Sequence, residues 1–316
     1  MTDAEYIAVE KSTNVRSRRG PRWLPVARAA NRTLSAMAPA LAAQLAERLF
    51  LTPPRSRRPA PEVALLETAR ARPMRVGGRP FVTWTWGCGP RILLVHGWGG
   101  RGAQLGALVE PLVGRGFSVV AFDAPGHGAA DAGPVTVPEM TAALHEAAGP
   151  GRRLAGLVAH SLGAVTATTA LYTGLDVAAA VYIAPAADLV AAASRFTTTL
   201  GFSRTVGERM RDGIERRVGM PWSAFTVTAR APALDTPLLV VHDRGDAEVP
   251  WQDGMAIARA WPGAAMLMTD GLGHRRILEA PDVVAAAVDF VARHAGEHGR
   301  TTPDAAVAGA QPAPVS

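Results

Sequence analysis

Between residues 75 and 295 the chain repeats one arrangement: a short, wholly apolar run, a turn, then a longer stretch with apolar positions at helical spacing. Ile92-Leu93-Leu94-Val95 ends in His96-Gly97, Ser118-Val119-Val120-Ala121-Phe122 ends in Asp123, and Leu157-Val158-Ala159 ends in His160-Ser161. Further on, Ala180-Val181-Tyr182-Ile183 stops at Pro185, Leu238-Leu239-Val240-Val241 at His242-Asp243, and Ala265-Met266-Leu267-Met268 before Gly271. Residues 81–86, after Arg79-Pro80, form the first clear run. Runs without polar alternation are strands buried on both faces. Helical stretches at 104–114, 137–148, 161–172, 253–261 and 281–294 separate most of them. Strand-helix alternation predicts an α/β fold, a mostly parallel sheet with helices on both faces. In such sheets sites gather at the carboxyl ends of the strands, where the polar and Gly-containing clusters fall here.

Three stretches break the rhythm. Over about 188–232 no strand is evident, and Phe196, Phe202, Met210, Ile214, Met220, Trp222 and Phe225 sit among arginines. This reads as a helical lid inserted at the carboxyl edge of the sheet. At 23–50 a single helix is expected, with Leu34, Met37, Ala38, Leu41, Leu45 and Leu49 as an apolar face packed on the body. A Pro/Arg-rich linker from Thr52-Pro53-Pro54-Arg55 to Pro59-Ala60-Pro61 follows. The chain thus divides into a disordered basic terminus (1–22), helix and linker (23–60), one domain (61–295) and a disordered tail (296–316).

Composition narrows the function classes. The chain has 316 residues and a net charge of +6. Its cations are nearly all arginine and are not interleaved with aromatics that could stack bases, so no nucleic acid is expected as partner. The uncharged stretch at 33–46 is too short to span a bilayer, which needs about 20 apolar residues; contact with a membrane surface stays open. Ser17-Arg18-Arg19 has the look of an export signal, but Arg22, Arg28 and Arg32 interrupt what would be its apolar core, so a cytoplasmic location is expected. The single cysteine, Cys88, reads as an inert thiol in a Gly-Cys-Gly turn. The histidines are too dispersed for metal-ligand spacing. Oligomeric state is not legible.

The candidate chemistry lies in Ala159-His160-Ser161-Leu162-Gly163, between a strand and a helix. A serine on that sharp turn is lifted clear of the sheet above a helix N-terminus, provided its neighbours two before and two after are small. In isolation Ser161 could equally be an ordinary helix cap. Activating a serine takes a base within hydrogen-bond reach and a carboxylate that orients the base. Asp246, in His242-Asp243-Arg244-Gly245-Asp246, and His274, in Gly271-Leu272-Gly273-His274, end later strands at the same sheet edge. Asp243 is the rival acid.

With these residues in place the chain resembles α/β-hydrolases of the serine aminopeptidase-like or lysophospholipase-like type, over about residues 75–295. The resemblance is carried by His96-Gly97-Trp98-Gly99-Gly100, Asp123-Ala124-Pro125-Gly126-His127-Gly128, the turn around Ser161, Asp246 ahead of Val249-Pro250, and His274. Ala159 departs from the usual Gly. The resemblance implies an α/β-hydrolase fold in which Ser161 is the nucleophile, His274 the base and Asp246 its orienting acid. The backbone N–H groups of Trp98 and Leu162 would form the oxyanion hole. It further implies a small-molecule acyl substrate, esters favoured, and no cofactor. His96 and His127 are expected to be structural, His160 to pack or line the pocket, and Asp123 to bind turn N–H groups. Arg275 and Arg276, beside the base, would serve an anionic substrate or bind the lid or C-terminal helix. Ser161 argues against dehalogenase and epoxide-hydrolase chemistry, which use Asp at that turn. A C–C hydrolase or perhydrolase, and a non-catalytic ligand-binding protein, remain alternatives.

Overall fold

A computed structural model of the chain describes residues 6–8, 23–151 and 153–299. Nine strands form one sheet: β1 (Tyr6–Ala8), β2 (Arg70–Val76), β3 (Arg79–Trp86), β4 (Arg91–Val95), β5 (Ser118–Asp123), β6 (Gly156–His160), β7 (Ala180–Ile183), β8 (Leu238–Asp243) and β9 (Ala265–Thr269). Their order is β1-β9-β8-β7-β6-β4-β5-β3-β2. Only the pairings of β3, with β2 and with β5, are antiparallel. The apolar runs are buried on both faces because two cores need them. Leu93, Val95, Val120, Phe122, Leu157 and Val240 face one core, and Ile92, Leu94, Val119, Val158, Val181 and Val241 face the other.

Twelve α-helices are described: α1 (Leu24–Met37), α2 (Pro39–Leu51), α3 (Ala60–Glu67), α4 (Val109–Gly114), α5 (Val137–Ala148), α6 (Gly163–Tyr172), α7 (Leu189–Leu200), α8 (Arg204–Val218), α9 (Val227–Arg230), α10 (Trp251–Ala260), α11 (Gly273–Arg276) and α12 (Pro281–Gly299). Residues 102–108 are a 3-10 turn leading into α4. Helix α5 begins with a capping box in which Thr136 and Glu139 exchange hydrogen bonds. Between β7 and β8 the regular elements are all helical, from α7 through α9 and the short 3-10 turns beside it.

Several expectations change. Within the terminus read as disordered, Tyr6–Ala8 pairs in parallel with β9, whose outer edge would otherwise present unpaired backbone groups. The other residues of 1–22, with their basic cluster, lie outside the described residues. Helix α12 runs five residues past His294, into the stretch read as a tail. The expected helix at 23–50 is two helices, parted at Ala38, which leaves the helical region (φ −144, ψ 68) before Pro39.

Of the expected apolar face, Leu34 packs on the core, but most of the rest points away from it. Met37, Leu41, Leu45 and Leu49 are exposed, whereas Asn31, Ser35, Ala42, Ala43, Ala46 and Leu51 are buried. The partner is not the sheet but the insertion: α1 packs on α7, and α2 on α8. Small side chains let those helices approach closely. A Cβ on Gly213 of α8 would lie 2.5 Å from the Glu47 carboxylate of α2, and one on Gly201 would lie 2.9 Å from the Arg28 backbone of α1. Polar groups complete the joint. Asn31 donates to the last carbonyl of α7, Leu200 (2.9 Å), Ser35 accepts from Ser203 N–H (3.3 Å), and Arg217 pairs with Glu47 (2.7 Å). The N-terminal helices and the insertion therefore build one four-helix cap.

The linker is pinned rather than free. Arg55 donates to the carbonyls of Gly128 (2.6 Å) and Ala130 (3.2 Å). Arg58 pairs with buried Asp123 and lies over the Trp84 ring. Glu62, on α3, pairs with buried Arg101, which also donates to Ser56 (2.9 Å).

Candidate active site

Ser161 occupies the turn between β6 and α6 with φ +55, a conformation rare for residues other than glycine. Its N–H donates to Ile183 O (3.1 Å), and its carbonyl accepts from Ala164 N–H (3.1 Å). Ala184, at the end of the neighbouring strand, is the other described non-glycine with positive φ (+49), so both lie at one sheet edge. The small-residue requirement is visible two positions after the serine. A Cβ on Gly163 would lie 2.6 Å from Val95 O and 2.8 Å from His96 O. Two positions before it, Ala159 is fully buried and its methyl is accommodated in the core.

Serine, histidine and one aspartate meet. His274 Nε2 is 3.0 Å from Ser161 Oγ, and its Nδ1 is 2.7 Å from Asp246 Oδ2. The other carboxylate oxygen of Asp246 accepts from the N–H groups of Glu248 (2.8 Å) and Val249 (2.9 Å). Burial alone would push this carboxyl up. Hydrogen bonds from His242 and His274, the His274 charge and the Val249 N–H outweigh it and hold Asp246 well below the usual carboxylate range. Asp243 makes no hydrogen bond to His274. It accepts from Gly245 N–H (2.9 Å), Thr269 Oγ1–H (2.8 Å) and Leu272 N–H (2.9 Å), tying the Asp246 loop to the His274 loop.

The loop after β4 passes so close that a Cβ on Gly97 would lie 2.8 Å from Ser161 Cβ and 3.4 Å from its Oγ. Among the described residues neither the Trp98 nor the Leu162 N–H is engaged in a hydrogen bond. Gly100 N–H closes the loop on Gly97 O (3.0 Å).

Two further histidines stand beside this line, His160, expected to pack or line the pocket, and His242, for which the sequence reading offered no role. His160 lies under His274, with ring centroids 4.7 Å apart, and its Nε2–H donates to the His274 carbonyl (2.9 Å). Burial first, and the charge of His274 second, push it down to about 3, so it is neutral at physiological pH. His242 is wholly buried behind Asp246. Its Nε2 is 3.2 Å from Val249 O and 3.3 Å from Asp246 Oδ2, while Nδ1 has no partner. Helix α10 closes over it through Gly254, where a Cβ would lie 2.5 Å from that Nδ1. Its place at the end of an apolar run, four residues before Asp246, was the available signal.

His96, His127 and Asp123 hold turns through backbone groups, whereas Arg275 also lines the cavity at Ser161. His96 Nδ1–H donates to Gly97 O (2.8 Å), and its Nε2 accepts from Ala124 N–H (3.0 Å). His127 is pushed down to about 3, chiefly by burial. Asp123 accepts from the N–H groups of Gly102 (2.8 Å) and Ala129 (2.7 Å). Arg275 and Arg276 bind neither the lid nor the C-terminal helix. Arg275 pairs with Glu248 (3.0 Å), and Arg276 donates to Leu272 O (3.0 Å) and Gly271 O (2.7 Å). Among the described residues no group of three or more His, Cys, Asp or Glu converges as metal ligands would.

Ser161 opens into a cavity of about 1090 Å³ between sheet and cap. Its walls come from both cap segments, Phe50 and Leu51 on α2 with Leu189, Phe196 and Trp222 of the insertion. Phe50 is central: its ring lies 5.2 Å from Phe196, 5.8 Å from Trp222 and 6.4 Å from Trp98, centroid to centroid.

A serine on a strained strand-to-helix turn, under a helical cap on a mostly parallel sheet, defines a class of α/β proteins to which comparison gives a name. The alpha/beta hydrolase family model matches residues 92–287, and the chain belongs to that family. Solved structures show the same fold at low identity. An esterase of Pyrococcus furiosus superposes with a TM-score of 0.59 at 18% identity, covering 77% of this chain and 97% of that one. A putative lipase of Acinetobacter baumannii gives 0.58 at 16% identity, with 77% and 99% covered. A monoacylglycerol lipase of Paleococcus ferrophilus gives 0.53 at 21% identity, with 68% and 99% covered. No curated protein matches the chain.

Proposed function

We propose that the protein is a serine hydrolase that cleaves a carboxylic ester or related acyl bond through an acyl-enzyme. The observation that carries this reading is the unbroken hydrogen-bonded line Ser161–His274–Asp246 at the floor of the cavity. Asp246, ionised, accepts the Nδ1–H of His274 and so presents an unprotonated Nε2 to the serine. His274 takes the Ser161 proton as Oγ attacks the acyl carbon. The carbonyl oxygen becomes an oxyanion between the N–H groups of Trp98 and Leu162, each such donor contributing about 2.7–4 kcal/mol in comparable sites. Collapse expels the leaving alkoxide, which takes the proton from His274. Water then attacks the acyl-Ser161 ester as His274 takes its proton; the second tetrahedral intermediate collapses, the acyl–Oγ bond breaks, Ser161 Oγ takes the proton back from His274, and the carboxylic acid leaves.

The cavity favours esters with an apolar acyl or alkyl part, since aromatic and aliphatic side chains form most of its roof. The esterase and lipases that share the fold point the same way.

Fluorophosphonate labelling read by intact mass tests the reading. One adduct on wild type and none on Ser161→Ala is expected, followed by turnover of a graded series of acyl esters. A well-folded wild type that takes no adduct overturns it and leaves a ligand-binding protein.

A further inference from the structure

We infer that helices α1 and α2 form a docking face for an anionic lipid surface. Nine large hydrophobic side chains are exposed among the described residues, and six of them lie between Trp23 and Leu49: Trp23, Val26, Met37, Leu41, Leu45 and Leu49. Leu41, Leu45 and Leu49 form an i, i+4 row on α2, on the side away from the buried Ala42, Ala43 and Ala46. Packing within the chain does not explain that row, because α2 already buries its small residues against α8.

The charge around the row selects the partner. Arg32 and Arg48 are exposed and meet no carboxylate among the described residues. The one acid between residues 23 and 51, Glu47, is engaged by Arg217. Residues 11–22 add Lys11, Arg16, Arg18, Arg19 and Arg22 with no acid among them, the acids Asp3, Glu5 and Glu10 lying before Lys11. Residues 11–48, through α1 and most of α2, thus hold eight of the 33 basic and one of the 27 acidic side chains, leaving 25 and 26 for the rest of the chain. Apolar side chains flanked by arginines with long stems suit a helix lying in the headgroup region of an anionic bilayer. A second copy of the chain is the poorer occupant, since its own Arg32 and Arg48 would face these. The mode is peripheral, for among the described residues no helix is long and apolar enough to cross a membrane.

The same helix reaches the cavity. Directly after Leu49, Phe50 and Leu51 line the space above Ser161. A lipid-surface ester would have its shortest path to the site along α2; that consequence, unlike the docking itself, rests on the acyl-hydrolase reading.

The test is flotation of the full chain carrying Ser161→Ala, which cannot consume the lipid, with vesicles of phosphatidylcholine alone or mixed with phosphatidylglycerol. Binding to the mixed vesicles is expected to be about tenfold or more tighter than to the neutral ones and to weaken with salt. Combining Leu41→Ser, Leu45→Ser and Leu49→Ser should weaken it about tenfold, as should Arg32→Gln with Arg48→Gln. In a Ser161 background the serine variants should still hydrolyse a soluble short-chain ester, which shows the cap intact. The inference is overturned by a wild-type chain that binds neither vesicle, by binding indifferent to the leucines, or by a concentration-dependent dimer that the serine variants abolish. Binding is read without turnover, so failure here leaves the hydrolase reading standing, and an unlabelled Ser161 leaves the docking result standing.

Discussion

Exchanging each of the two aspartates for asparagine separates orienting the base from building the loop. In Asp246→Asn the amide oxygen can keep the Glu248 and Val249 N–H groups, which places the NH2 against His274 Nδ1 and His242 Nε2. His274 must then accept at Nδ1 and carry its proton on Nε2, pointing at Ser161, where it cannot act as base. A wrong tautomer of this kind costs about 10⁴-fold in kcat, or about 5.5 kcal/mol at 1.36 kcal/mol per tenfold. In Asp243→Asn three donors compete for one amide oxygen, so a buried N–H or O–H loses its acceptor. That costs about 1–3 kcal/mol of stability and about 2–4 °C of Tm per kcal/mol in a domain of this size, while His274 keeps its tautomer. Turnover of a p-nitrophenyl ester and a thermal melt on both variants give the comparison. The expected pattern is lost kcat for Asp246→Asn and lost Tm for Asp243→Asn, whose kcat effect should be about a hundredfold smaller. The reasoning fails if Asp243→Asn loses the greater kcat, or if Asp246→Asn retains turnover to within about tenfold of wild type.

Two further outcomes follow from the buried histidines. His127 and His160, both pushed down to about 3, take up protons on unfolding at pH values below about 6.5. Stability is therefore full above that value and is lost as pH falls toward about 3, each histidine contributing about 1.4 kcal/mol per pH unit. Urea unfolding from about pH 8 to about pH 4 should show this slope beginning well above the carboxylate range, and a flat profile down to about pH 5 would contradict it. His242→Leu should lower kcat by about tenfold, the loss of one hydrogen bond to a charged group, with KM little changed. His242→Gln, which restores an N–H, should recover most of the rate; equal loss in both variants would reduce His242 to packing.

The central sheet was readable because its strands are buried on both faces, so Ile92 to Val95 or Leu238 to Val241 had no polar position to blur them. Ser161, Asp246 and His274 stood out as candidates for the same reason, since each follows such a run. Strands with an open side were harder. Arg70–Val76, mostly exposed and holding three arginines, carries no apolar run, and only the Gly77-Gly78 turn, both glycines with positive φ, marks its hairpin. The α2 face was misjudged because amphipathicity reports which side is apolar, not which side a partner will cover. A helix approaching another helix closely covers Ala42, Ala43 and Ala46 and leaves its leucines outside. The contact of His160 with His274 spans 114 residues, which no local pattern encodes, whereas His242 had a local signal, its place four residues before Asp246, that went unused.

The joint between α2 and α8 also bears on how the chain is made. Helix α2 ends at Leu51 and α8 at Val218, so during synthesis the first half of the cap emerges long before the second. At about 5–20 residues per second that interval is roughly 8–33 s. Through it Ala42, Ala43, Ala46 and Phe50 have neither α8 nor Trp222 to cover them, and the leucine row is bare on the other side. The cap can close only after most of the sheet has been laid down, which makes its assembly a late folding step and the nascent N-terminus the part of this chain most exposed to chaperones or to premature association.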